Sequence, residues 1–175
     1  GAGRLQNPIN ITGTIKAVDD GVGKIRSTLN ELKIKENTII IFYSDNGGYG
    51  PATSMHPLKG YKGTYYEGGI RVPFFVNWPN VVASDTHCST PITGVDIYPT
   101  ICEMIIGQNY ENHKGDGVSI VPLLKGNKIK DRALYWHFPA YLQSYQRADE
   151  QPDPLFRARP CSVIRKGRWK LIEYF

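Results

Sequence analysis

The stretch IIIFYSDNGGYG, residues 39–50, decides the fold. Three isoleucines and two aromatics run straight into Ser44, Asp45, Asn46, Gly47 and Gly48. β-branched and aromatic residues suit a strand, here Thr38–Tyr43. It is apolar on both faces, the pattern of a central strand in a parallel sheet covered by helices. In such sheets ligands bind beyond the carboxyl ends of the strands, where Asp45 and Asn46 lie. The strand is then a rigid post, and the polar pair at its tip is held for use.

Upstream, Ile11, Ile15, Val18, Val22, Ile25, Leu29 and Leu32 recur at steps of three and four. This spacing predicts one apolar stripe along a helix. Gly21 and Gly23 each cost roughly 1 kcal/mol against Ala inside a helix, so a close helix contact or a weak turn is expected there. Helix followed by buried strand is half of an α/β repeat.

Downstream lies GGYGPATSMHPLKGYKGTYYEGG, residues 47–69, with seven glycines. A loop this long is usually functional. Gly60 and Gly63 let backbone come close to a ligand, and Lys59 or Lys62 would set a point charge on a phosphate or sulfate oxygen. Glu67 and Arg71 flank Gly68 and Gly69 and are expected to pair and brace the loop. Tyr49, Tyr61, Tyr65 and Tyr66 read as supports of the loop, with stacking on sugar rings as the alternative. His56 is open between a substrate contact and a surface position.

A second short strand is predicted in RVPFFVNWP, residues 71–79, and a helix over 92–106 in which Pro99 is awkward. Near residue 126 the pattern changes to short β-like runs, RALYWHFP, CSVIRKG and RWKLIEYF, joined by turns and a polar loop, LQSYQRADEQPDP. The RKGR turn suits a hairpin. The chain is therefore read as α/β over 1–125 with a small antiparallel subdomain over 126–175. His137, between aromatics, is read as structural; His87 and His113 as surface residues.

The formal net charge of +5 is compatible with an anionic substrate. Lys and Arg are scattered, without a nucleic-acid-binding stripe. No apolar run is long enough to span a bilayer. Cys88, Cys102 and Cys161 show no zinc spacing, and Cys88 and Cys102 are candidates for a bridge. Asp45 and Asn46 offer two adjacent oxygens, suited to calcium or magnesium, though calcium takes about six to eight; a plain strand-end turn is the alternative.

The string SDNGG followed by LKGYKGTYYEGGIRVP resembles the sulfatase family, within the alkaline-phosphatase-like superfamily. The order matches: Asp-Asn-Gly at a strand end, then Gly-x-Lys-Gly-Thr-x-x-Glu-Gly-Gly-x-Arg-x-Pro. Flanking segments agree, and ALYWHFP with SVIRKGRWKLIEYF is similar to the C-terminal subdomain of bacterial glycan sulfatases of the N-acetylgalactosamine-6-sulfatase and arylsulfatase A type. The resemblance implies that Asp45 and Asn46 are ligands of an active-site calcium. It implies that Lys62 contacts the sulfate and stabilises charge as the S–O bond breaks. Lys59 receives no role.

The family's nucleophile is a formylglycine made in a Cys/Ser-x-Pro-x-Arg motif. Neither CSTPI at Cys88 nor CSVIR at Cys161 fits it. The family's N-terminal acidic ligands and Gly-Tyr-x-Thr-x-x-x-Gly-Lys segment are also missing. The chain thus looks like the C-terminal part of a sulfatase, inactive alone, with calcium completed by ligands outside it. The expected partners are the missing N-terminal part and a sulfated carbohydrate, and the expected location is outside the cytoplasm, as for exported or lysosomal relatives. Two other readings remain open: a fragment of a phosphoesterase or phosphonate hydrolase, and a non-catalytic module for anionic glycans.

Overall fold

A computed structural model of the chain describes residues 8–107, 115–142 and 159–175. The chain is a mixed α/β structure in which a long helix leads into a two-stranded sheet, and a three-stranded antiparallel sheet closes the chain. His113 and most of the polar loop 142–154 lie outside the described residues.

Helix α1 spans Pro8–Glu31. The three-and-four spacing is realised as a continuous helix through Gly21 and Gly23. Space for a Cβ is open at both, with no neighbour within 4 Å. The expected close contact or weak turn is therefore absent among the described residues. Much of the stripe stays in solvent: Ile15 is 63% exposed, Ile25 57% and Leu32 62%, while Ile11, Val22 and Leu29 are half-buried.

A short 3-10 turn, Lys35–Asn37, joins α1 to strand β1, Ile40–Tyr43. The strand begins later than the apolar run suggests because Thr38 closes that turn. Its amide donates to Lys35 O at 3.2 Å and its hydroxyl to Ile34 O at 2.8 Å. The loop after β1 contains one helical turn, α2, Glu67–Ile70, and returns as strand β2, Phe74–Asn77.

The pairing departs from the parallel arrangement predicted for β1. Its partner is β2, antiparallel, with Phe42 opposite Phe75 and Tyr43 opposite Phe74. The ring centroids of these pairs lie 6.3 and 5.9 Å apart, so aromatic contacts across the ladder fix the register. Phe42, Tyr43 and Phe75 remain exposed. The apolar residues on both faces of β1 are present as read, but among the described residues no parallel neighbour or helix layer covers them.

A capped turn opens the next helix. Thr93 N donates to Asp96 Oδ2 at 2.8 Å, one half of a capping box around the 3-10 turn Gly94–Asp96. Helix α3, Ile97–Ile106, follows directly and ends at Gly107, whose φ of 76° supplies a left-handed stop. Pro99 falls in the first turn of α3, where its missing N–H breaks no helical bond. A single turn, α4, Val121–Leu124, precedes the last sheet.

That sheet has the order β3-β4-β5, with strands Ala133–Phe138, Cys161–Lys166 and Trp169–Tyr174. The β4–β5 hairpin turns at Gly167 with φ 55°, as the RKGR string predicts. Leu134, Cys161 and Val163 on one face are buried, and Tyr61, Ile120 and Val121 complete the buried apolar set. The glycine-rich loop is tied to the C-terminal sheet where Tyr65 packs on Phe138. His137 Nδ1 lies 2.8 Å from Ser162 Oγ, its neighbour across the β3–β4 ladder, in the structural role expected of it.

Candidate active site

Glycine packing builds the site. At the end of β1, Ser44 Oγ donates to the carbonyl of Asn46 at 2.9 Å and sets the turn that carries Asp45 and Asn46. Three backbone segments then meet. Gly47 N donates to Gly69 O at 2.9 Å, Lys62 N to Gly48 O at 2.9 Å, and Gly68 N to Lys59 O at 2.8 Å. There is no room for side chains between them. A Cβ on Gly47 would lie 1.8 Å from Gly68 O, and one on Gly68 would lie 2.2 Å from Gly60 O. Gly47 and Gly68 therefore serve close approach of the loop to itself.

This packing brings the main chain of Lys62 against the segment that follows Asp45 and Asn46. Asp45 and Lys62 are exposed and Asn46 is half-buried. The donors at Asp45 and Asn46 are oxygens of the kind a hard cation takes, but they are two against the six to eight that calcium uses. Among the described residues no group of three or more His, Cys, Asp or Glu side chains gathers around a metal-sized space. The pair fits one part of a shared cation site and cannot form a whole one.

The tyrosines support the loop. Tyr61 is buried beneath Gly50, Tyr65 packs on Phe138 of β3 with centroids 6.0 Å apart, and Tyr66 lies under the Lys59 ammonium at 4.2 Å. The Tyr49 carbonyl accepts from Ala52 N, Thr53 N and Thr53 Oγ1. His56 is exposed, and its amide is held by Ser54 Oγ.

The bracing partner of Glu67 is not Arg71. Glu67 forms its ion pair with Lys170 of β5, and the same ammonium donates to Tyr65 O at 3.1 Å. Burial favours the neutral carboxyl, but the hydrogen bond and charge of Lys170, with help from Arg165 and Arg71, hold its pKa below the ordinary value. Arg71 contributes at longer range, while its amide caps α2 on Glu67 O at 2.8 Å. The C-terminal strand thus pins the loop that carries Lys62.

A second tie was not predicted from the residue pattern. Asp96 is fully buried. Its carboxylate accepts Thr93 N, Val118 N at 2.9 Å and the guanidinium of Arg132. Thr93-x-x-Asp96 was a readable capping signal, but nothing local announces Arg132.

All three cysteines are free thiols, so Cys88 and Cys102 do not bridge. Burial pushes the Cys161 thiol up, and burial with the neighbouring Cys161 pushes the Tyr65 phenol up. Neither is an activated nucleophile.

Comparison with known proteins agrees with this anatomy. The family model described as Sulfatase matches residues 6–107, and that described as N-sulphoglucosamine sulphohydrolase, C-terminal, matches residues 61–175. A sulfatase of Formosa agariphila is 35% identical over 166 residues, covering 81% of this chain and 30% of that protein. Human steryl-sulfatase is 29% identical, covering 90% of this chain and 29% of its own length. A solved structure from work on glycosaminoglycan metabolism by Bacteroides thetaiotaomicron superposes with a TM-score of 0.65 at 26% identity, over 89% of this chain and 31% of that one. A sulfatase from a Pseudoalteromonas species shares the fold, with a TM-score of 0.61. The chain spans about a third of the length of the relatives it matches. One family model runs through the strand-end acid and amide and the glycine-packed loop, the other through that loop to the last strand, and together they establish that this chain belongs to the sulfatase family, corresponding to its C-terminal portion.

Proposed function

We propose that the chain supplies the C-terminal share of the active site of an enzyme that hydrolyses sulfate esters of sugars. The observation that carries this reading is the Lys62 amide bonded to Gly48 O, two residues after Asn46. It puts a cation-bearing loop beside a strand-end pair of oxygen ligands. The glycosaminoglycan setting of the Bacteroides neighbour supports a sulfated sugar as substrate.

In this reading Asp45 and Asn46 hold calcium together with ligands outside the chain. When bound, the cation supplies positive charge that polarises a sulfate oxygen. The Lys62 ammonium takes a second sulfate oxygen and stabilises charge that develops as the S–O bond breaks. The Glu67–Lys170 pair and the glycine contacts position that ammonium. The formylglycine nucleophile belongs to the N-terminal part of the parent, which is the chain's expected partner. The parent is exported, and this chain alone has negligible turnover.

The test uses the full-length parent with an aryl sulfate and an aryl phosphate. Lys62→Ala lowers sulfate hydrolysis by about 10²–10³-fold, and Asp45→Ala abolishes its calcium dependence. Preference for the phosphate ester would overturn the assignment to sulfate. Unchanged turnover in Lys62→Ala would remove the lysine from the chemistry.

A further inference from the structure

Away from Lys62, three segments enclose an open cleft of about 290 Å³: residues 89–91, 128–134 and 165–167. Its wall carries four cations, Lys128, Lys130, Arg132 and Arg165, and the hydroxyl residues Ser89 and Thr90. Asp131 is the one acid on that wall among the described residues. Asp96, behind the wall, neutralises part of Arg132 and fixes its guanidinium. The Nε atom of Arg132 is buried and has no hydrogen-bond partner among the described residues. A buried donor of a charged group left unpaired is costly.

Cation type matters here. A guanidinium held by a carboxylate keeps its charge at a fixed place in the wall, and guanidinium groups suit sulfate or carboxylate oxygens. Lys128 and Lys130 are exposed and add mobile point charges at the rim. The volume suits one sugar-sized anionic unit and is too small for an extended chain. Among the described residues of the lining, none offers the aromatic platform that would bind an uncharged ring by stacking.

We propose that this cleft is an oxyanion subsite for a sulfate or carboxylate on an anionic saccharide, separate from the ester that is cleaved. The saccharide assignment rests on the function proposed above; the oxyanion site itself does not. It would favour substrates carrying more than one anionic group.

The test is calorimetric titration of the full-length protein carrying Lys62→Ala, with sucrose octasulfate, with unsulfated sucrose and with inorganic sulfate as probes. The octasulfate binds, and its affinity falls as salt rises. Arg165→Gln weakens it about tenfold or more. Because Arg165 also acts on Glu67, the rim variant Lys128→Gln with Lys130→Gln is measured beside it, and thermal midpoints verify folding. Sucrose octasulfate binding that is unchanged in both variants overturns the subsite. Inorganic sulfate binding as tightly as the octasulfate keeps the oxyanion site and overturns the saccharide. In the otherwise wild-type parent, Lys128→Gln with Lys130→Gln leaves turnover of a monosulfated aryl ester within about twofold, whereas failure of the sulfatase reading would show as no turnover in the parent itself.

Discussion

Replacing Gly47 by alanine tests the central claim that glycine contacts build the site. The new Cβ would lie 1.8 Å from Gly68 O, 2.8 Å from Gly68 C and 3.0 Å from Gly69 Cα, all backbone atoms. Comfortable contact needs about 3.5 Å. The two segments must therefore part by about 1.7 Å, since no rotamer change can relieve a backbone clash. That separation breaks the bond from Gly47 N to Gly69 O and strains the one from Lys62 N to Gly48 O. Overpacking of this kind costs about 1–3 kcal/mol and the lost hydrogen bond about 1 kcal/mol, so a loss of about 2–4 kcal/mol is expected. This is a large share of the 5–15 kcal/mol typical of a domain. Denaturant unfolding of the wild-type and variant proteins measures it, with Gly94→Ala as control because a Cβ there meets nothing within 4 Å. In the full-length parent the same shift moves Lys62 away from Asp45 and Asn46, and sulfate hydrolysis drops by about 10²-fold. If Gly47→Ala is as stable and as active as Gly94→Ala, the argument from close approach is wrong.

Three further outcomes follow from particular contacts. Because the folded pKa of Glu67 is depressed, its ion pair with Lys170 stabilises the protein above the unfolded carboxylate range. That contribution is lost as pH falls through the lowered value. The stability gap between wild type and Glu67→Gln should be open at pH 7 and closed near pH 2 in urea titrations; an equal gap at both would discount the pair. Asp96→Ala leaves Arg132 and two amides without their acceptor and should cost about 3–5 kcal/mol by denaturation, whereas a loss below about 1 kcal/mol would mean the buried pair is replaceable. Gly21→Ala and Gly23→Ala should each stabilise the 175-residue chain by about 0.5–1 kcal/mol and raise its helical signal. Destabilisation would reveal a neighbour packed on those glycines.

Much of the fold was legible because its signals are local. The spacing from Ile11 to Leu32 marked α1, the isoleucine run marked β1, and the RKGR turn marked the last hairpin. Asp45 and Asn46 stood out at the tip of the apolar strand, and it was the resemblance to the sulfatase family that assigned them a role and set Lys62 apart from Lys59. What failed was pairing at a distance. Glu67 was matched to Arg71 because the two flank Gly68 and Gly69 in the loop, yet its charge partner arrives from β5. The Asp96–Arg132 pair spans 36 residues and has no periodic signature. β1 was read as parallel because both faces are apolar, a pattern that reports future cover without naming the neighbouring strand.

The Lys170 tie has a consequence for how the protein is made. Its ammonium closes on Tyr65 O across 105 residues of chain. During synthesis the glycine-rich loop leaves the ribosome long before β5 exists to hold it. The loop can assume its glycine contacts early, but its charge latch must wait for the closing strand of this chain. A premature stop just before Trp169 would therefore leave Asp45, Asn46 and Lys62 in place and still release the loop that aligns them. Disease or laboratory truncations of that kind should register as loss of function, without a single proposed ligand missing.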